Sequence, residues 1–176
     1  MMIAHGVVSS DIAGEAAIAL PARFTISGAA SRARLTGGTS DNVRNSYSST
    51  LRWSHSRNWS LAVGGRQFGY DTTSADGYFA PRRYTLVEAG GRGHVGGNLG
   101  WNADADVGIG RQSVELFGSS TTSRLAERVA LSLGYRIDPA REVSASGGYA
   151  NVAAAGQSTG SEYRWYTFSL RARLGF

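Results

Sequence analysis

Residues 165–176 read Trp165-Tyr166-Thr167-Phe168-Ser169-Leu170-Arg171-Ala172-Arg173-Leu174-Gly175-Phe176, and this stretch decides the fold. Its even positions from Tyr166 to Phe176 are all apolar, and the odd positions between them are Thr167, Ser169, Arg171, Arg173 and Gly175. A strand sends successive side chains to opposite faces, so one face here is apolar and the other polar with two cations. The alternation recurs at Leu125 to Ile137, where Val129, Leu131, Leu133, Tyr135 and Ile137 oppose Arg128, Ala130, Ser132, Gly134 and Arg136. It recurs at Leu99 to Ile109, where Leu99, Trp101, Ala103, Ala105, Val107 and Ile109 oppose Asn102, Asp104, Asp106 and Gly108. Tyr47, Leu51 and Trp53 likewise oppose Ser46, Ser48, Thr50 and Arg52. Weaker versions run at 12–20, 22–35, 58–70, 82–95 and 141–151. The pattern predicts about nine strands, with Ile3 to Val8 as a candidate tenth, and no helices.

Strand length narrows the class. Soluble strands usually have five or six residues, whereas ~9–11 residues cross a bilayer at a tilt, and several of these runs are that long. The second face alternates Gly, Ser, Ala and Thr with Arg, Asp and Asn, a set too small and too charged to fill a dry core. An apolar exterior around a wet interior follows. The predicted fold is an antiparallel transmembrane β-barrel of about ten visible strands, either whole or the C-terminal part of a larger barrel. It occupies residues 1–176 as a single domain.

The connections agree. Reading backward from the end, Val152 to Glu162 is long, Asp138-Pro139-Ala140 short, Glu115 to Ser123 long and Gly96-Gly97-Asn98 short. Thr72 to Ala80 is then long, Ser56-Arg57-Asn58 short, Gly37 to Val43 long, and the turn at Pro21 short. Long outer loops and tight periplasmic turns are the habit of outer-membrane barrels, which places this C-terminus in the periplasm. Trp53, Trp59 and Phe176 mark one expected aromatic girdle. Tyr78, Phe79, Tyr84, Tyr163, Trp165 and Tyr166 mark the other, near the long loops.

Composition excludes several alternatives. The 176 residues carry 24 Gly, 3 Pro and no Cys, which removes disulfide scaffolds, thiolate metal sites and cysteine catalysis. No apolar run approaches the ~20 residues of a membrane-spanning helix. Met1 to Ser10 has neither the basic start nor the apolar core of a signal peptide. The net charge is +5 and all 18 basic residues are Arg. They are spread along the chain without the stripe and interleaved aromatics of a nucleic-acid groove, so no nucleic-acid partner is expected.

At this point the chain resembles a known family. Gly77-Tyr78-Phe79-Ala80-Pro81-Arg82-Arg83-Tyr84 resembles a motif in the C-terminal barrel of cellulose synthase operon protein C. That family exports exopolysaccharide through the outer membrane and carries periplasmic tetratricopeptide repeats. Leu35-Thr36-Gly37-Gly38 with Asp41-Asn42, and Leu61 to Gly64 with Phe68-Gly69-Tyr70-Asp71, are similar to two further segments of that barrel. The final strand, with Phe168, Leu170, Leu174 and Phe176, looks like the terminal signal read by the barrel-assembly machinery. The resemblance runs from about Gly28 to Phe176. The loop between Tyr70 and Gly77 is shorter than in the family, and the helical repeats are absent, so the chain is expected to be a fragment or the separated barrel of a longer protein.

The resemblance implies an outer-membrane pore for a cellulose-like exopolysaccharide. Its partners would be membrane lipid, the polysaccharide chain, the assembly machinery and a periplasmic repeat domain or inner-membrane synthase. Asn102, Asp104, Asp106, Arg128, Arg136, Arg171 and Arg173 are the expected lumen-lining residues, and Tyr78, Phe79 and Trp165 the expected mouth aromatics. Two rivals stand beside this reading. One is a plugged structural or adhesin-like barrel without transport; the other is a soluble lipocalin-like binder with an apolar interior.

Local motifs add no chemistry. Gly91-Arg92-Gly93-His94-Val95-Gly96 has dinucleotide-binding spacing, yet a strand pattern follows where the motif requires a helix. Asn102, Asp104 and Asp106 imitate a calcium loop, but Ser113 stands where the bidentate Glu belongs, and Arg128 or Arg136 is the expected counterweight. His5, His55 and His94 stand in no recognisable relation to a nucleophile, and no nucleophile elbow occurs. No enzyme activity, metal or cofactor is expected.

Overall fold

A computed structural model describes residues 7–37, 39–74, 78–152 and 164–174. Nine strands form one antiparallel sheet in sequence order. They are β1 (Val8–Leu20), β2 (Phe24–Thr36), β3 (Asn42–Ser54), β4 (Trp59–Tyr70), β5 (Arg83–Gly96), β6 (Gly100–Glu115), β7 (Thr122–Arg136), β8 (Arg141–Ala150) and β9 (Trp165–Leu174). All the weakly patterned segments are strands, and the strands outrun the alternation that revealed them, reaching 16 residues in β6. The candidate tenth strand is not separate where it is described, because Val8 opens β1.

The connections at one end of the sheet are 21–23, 55–58, 97–99 and 137–140; those at the other are 37–41, 71–82, 116–121 and 151–164. The first set has three or four residues each and the second has five or more. Gly96 sits at φ +121° where β5 turns toward β6, a conformation closed to residues with a Cβ. Pro21 opens a single 3-10 turn, and Ala22 and Arg23 follow it in the left-handed region. The Arg23 guanidinium donates to the His55 carbonyl, tying two neighbouring turns together.

Register sorts the side chains into two faces. The row Phe24–Trp53–Leu61–Gly91–Val107–Val129–Tyr149–Tyr166 crosses eight strands, and all its side chains point to one face. That face is apolar and uncovered: Leu131 is 55% exposed, Leu133 51%, Leu170 70% and Phe168 76%. Among the described residues, 28 large hydrophobic side chains are exposed and 11 hydrophobic residues are buried. A water-soluble sandwich has this ratio reversed, since it hides its large apolar side chains between its sheets.

The buried set lies on the other face and only at its long-loop end. Ala33, Leu35, Phe68, Tyr70, Tyr84, Leu86, Ala126 and Ala150 come from the strands, and the 71–82 connection folds in to add Tyr78 and Phe79. The Tyr70 amide donates to the Pro81 carbonyl and the Asn42 amide group to the Tyr78 hydroxyl, holding that connection inward. Phe68 stacks on Tyr84 at 4.8 Å and meets Phe79 edge-on at 6.5 Å.

Four members of the expected long-loop girdle are therefore corrected. Tyr84 is on β5, whose apolar-face parity is odd, so its ring points to the polar face and is buried. Tyr78 and Phe79 are buried with it, and Trp165 lies opposite Ala150 on the polar side. The aromatics that do mark the ends of the apolar face are Phe24, Trp53, Trp59, Trp101 and Tyr135 by the short turns, with Tyr47, Tyr149 and Tyr166 toward the long loops. Tyr163 and Phe176 lie outside the described residues.

Candidate polar-face site

The polar face is organised by glycine. Arg52, Ala62, Gly90, Gly108 and Arg128 stand in one row across β3 to β7, so two arginines face each other over a floor with hardly any side chain. A Cβ on Gly108 would sit 2.6 Å from the Glu88 carboxyl carbon, and one on Gly90 2.5 Å from the Val107 carbonyl oxygen. The floor is bare because the neighbouring groups use the space.

Ion pairs bind the strands above that floor. Arg128 Nη2 donates to Glu88 Oε1 at 2.9 Å, reaching from β7 to β5 across Gly108, and Arg128 Nη1 pairs with Asp106. Asp106 also accepts from Arg92 at 2.8 Å. Toward the short turns, Asp104 lies 2.8 Å from His94 Nδ1 and accepts from the Ser132 hydroxyl at 3.3 Å. Arg136 pairs with Glu142 at 2.7 Å. Arg44 reaches Asp11 at 3.8 Å over β2. Side chains from alternate strands meet repeatedly on this face, as they do when a sheet curls with that face inside. In the Arg128–Glu88 and Arg136–Glu142 pairs the guanidinium is about a third exposed and the carboxylate about a fifth, so solvent screens both pairs.

Register places all seven expected lining residues on this face. Asn102, Asp104, Asp106, Arg128 and Arg136 sit within the network, with Asn102 packed against Gly134 and not charge-paired. Arg171 and Arg173 stand opposite Ser144 and Glu142 on β9, which is exposed along its whole length. Asp106 is balanced by Arg128 as expected, whereas Arg136 turns to Glu142. Phe168, Leu170 and Leu174 of the expected assembly signal project from the apolar side of β9.

Glu88, Arg92 and Glu142 complete the network without having been singled out. The signal existed in parity, because each lies on the polar side of an alternating run. The expected mouth aromatics Tyr78 and Phe79 are packed into the core, and Trp165 is 37% exposed. No group of three or more His, Asp and Glu side chains is arranged to hold a metal among the described residues. A cavity of about 290 Å³ opens over the glycine floor, lined by Thr50, Arg52, Ser60, Arg66, Glu88, Arg92, Asp106 and Arg128 among others. No protein-family model, curated protein or solved structure matches the chain.

Proposed function

We propose that the sheet is the wall of a transmembrane β-barrel in the bacterial outer membrane, and that its ion-paired face lines a wet path for an exopolysaccharide. The observation that carries the membrane reading is the slant of the apolar band. Phe24 ends β2 at the short-turn side of the band, yet in its row Tyr166 lies at the opposite end, eight residues before Leu174. Eight residues at ~3.3 Å over the seven steps from β2 to β9, at ~4.8 Å each, is a tilt of roughly 38°. Barrel strands tilt by about 35–45°, so the band becomes level when the sheet is rolled. Lipid then covers the exposed apolar side chains, and the aromatics fall at its two interfaces.

Closure of the ring needs a further element. In a nine-stranded meander β1 and β9 run in the same direction, while every observed pair is antiparallel. An antiparallel seam therefore takes at least one more strand between them. Both edge strands are exposed throughout, and a bilayer tolerates no open edge.

The polymer comes from the resemblance to the cellulose-exporting barrels together with the polar lining, whose hydroxyls and ion pairs offer exchangeable hydrogen bonds to sugars. A plugged barrel is the second reading. It is favoured by the 71–82 connection, which packs Tyr78 and Phe79 over one end of the polar face. The outward apolar face counts against a water-soluble binder.

Planar-bilayer conductance separates the readings. The folded protein, obtained only with detergent or lipid, should give steady channels, and Arg171→Glu should shift their selectivity toward cations. A closed barrel without current or sugar flux sinks the export reading and leaves the plugged one. A monomer that refolds in plain buffer sinks both.

A further inference from the structure

The charges around the glycine floor do not cancel. Four guanidiniums, of Arg52, Arg66, Arg92 and Arg128, line the cavity against two carboxylates, of Glu88 and Asp106. Both carboxylates are committed to one side: Glu88 to Arg128, and Asp106 to Arg128 and Arg92. Across the floor, Arg52 is half-buried and its hydrogen bond is to a neutral group, the Ser60 hydroxyl at 3.5 Å. Arg66 stacks its guanidinium 5.6 Å from the centre of the Tyr84 ring. On the β3 side of the trough, Arg52 is therefore the guanidinium that neither carboxylate of the cavity pairs with.

From this we infer that the trough binds an anionic sugar unit, with its carboxylate taken by the Arg52 guanidinium. The inference rests on the polysaccharide reading and deepens it: the polymer carries acidic sugars and is not a plain neutral glucan. Three features of the site fit that ligand. The planar guanidinium fork matches a carboxylate with two parallel hydrogen bonds, in a partly desolvated place where such bonds are strongest. Ala62 and Gly90 raise no more than a methyl group into the cavity, so a flat ring can lie against that part of the wall. The cavity volume is at the lower end of small-ligand sites. Arg128 and Arg92, held by their carboxylates, act as a fixed far wall and do not compete with Arg52 for the ligand. A neutral sugar would leave the Arg52 guanidinium without a counter-charge.

Equilibrium binding to detergent-folded protein tests this without requiring transport. The probes are a hexamer of a uronic acid and a neutral hexamer of glucose, titrated calorimetrically at low and at physiological salt. The uronate should bind and weaken as salt rises, and the neutral hexamer should bind about tenfold more weakly or not at all, the worth of one charge-assisted pair. Arg52→Gln should cost the uronate about tenfold and leave the neutral sugar unchanged. Arg52→Lys, which keeps the charge and loses the fork, should bind uronate at an intermediate level with the salt dependence retained. Arg57→Gln, in the neighbouring short turn, should change nothing. Equal affinity for both hexamers, no uronate binding by the folded wild type, or an Arg52→Gln protein that binds as tightly as wild type overturns the inference. A protein that conducts but fails here keeps the pore and loses the acidic substrate. One that binds here but never conducts loses the pore alone.

Discussion

The two halves of the polar face share strands and parity, yet one is dry and the other wet. Toward the long loops, Phe68, Tyr84, Leu86 and Leu35 are covered by Tyr78 and Phe79 and form the molecule's buried cluster. Further toward the short turns, the same faces of β5, β6 and β7 carry Arg92, Asp106 and Arg128 in ion pairs. The difference is a connection that folds back. Where the 71–82 connection packs Tyr78 and Phe79 inward, apolar side chains can face inward; where no described residue covers the strands, only groups that water or counter-charges satisfy can remain.

Removing the centre of the dry half should have the largest effect. Tyr84 is fully buried, stacks on Phe68 and donates its hydroxyl to Gln112 Oε1 at 3.2 Å. Tyr84→Ala should cost about 3–5 kcal/mol of unfolding free energy, as truncation of a buried aromatic does. It should also release the 71–82 connection, so protease cleavage there should rise along with the fall in the urea midpoint. A loss below ~1 kcal/mol would mean that the cluster is not a packed core.

In the wet half the corresponding change is smaller. Arg128→Gln leaves Glu88 and Asp106 facing each other with less positive charge between them. A fully buried broken pair costs about 3–5 kcal/mol, but these groups meet water, so about 1–3 kcal/mol is expected. Raising the salt should narrow the gap to wild type, because screening weakens the repulsion that remains. Gly108→Ala should act on the same pair by steric means, since the new methyl meets the Glu88 carboxyl. If Arg128→Gln costs as much as Tyr84→Ala, the network is dry, and the contrast between the halves disappears.

The wet half was legible in the sequence and the dry half was not, and the reason is physical. Period two assigns each residue of a strand to a face, so Asp104, Asp106, Arg128 and Arg171 could be placed on one side before any register was known. Register then turned parity into partners, which is how Glu88 and Arg92 joined the site. Tyr84 has the right parity too, but proximity to the long loops suggested an outer girdle, where aromatics are common. Whether a ring faces outward or into the core there depends on a connection whose own path has no periodicity. Tyr78 and Phe79 lie in such a segment, so their burial could not be read from spacing. The slant of the apolar band was equally hidden, because it requires the pairing of all the strands.

The turn between β7 and β8 belongs to neither half and should contribute least. Asp138 accepts from the Ala140 and Arg141 amides at 2.9 and 2.8 Å and from Arg141 Nε at 2.6 Å. The Arg141 guanidinium, more than the amides, holds its carboxyl below the usual carboxylate range. A carboxyl depressed in the folded state stabilises the protein above its unfolded pKa, ~3.9, and loses that contribution as the pH falls through the folded value. Wild type should therefore exceed Asp138→Asn slightly in urea midpoint at pH 7, and the gap should shrink as the solution is acidified below ~pH 3.9. Asn keeps an acceptor for the two amides, so what is lost on acidification is the Arg141 share alone. A gap that widens in acid would place the stabilising charge elsewhere and make the turn part of the wet network.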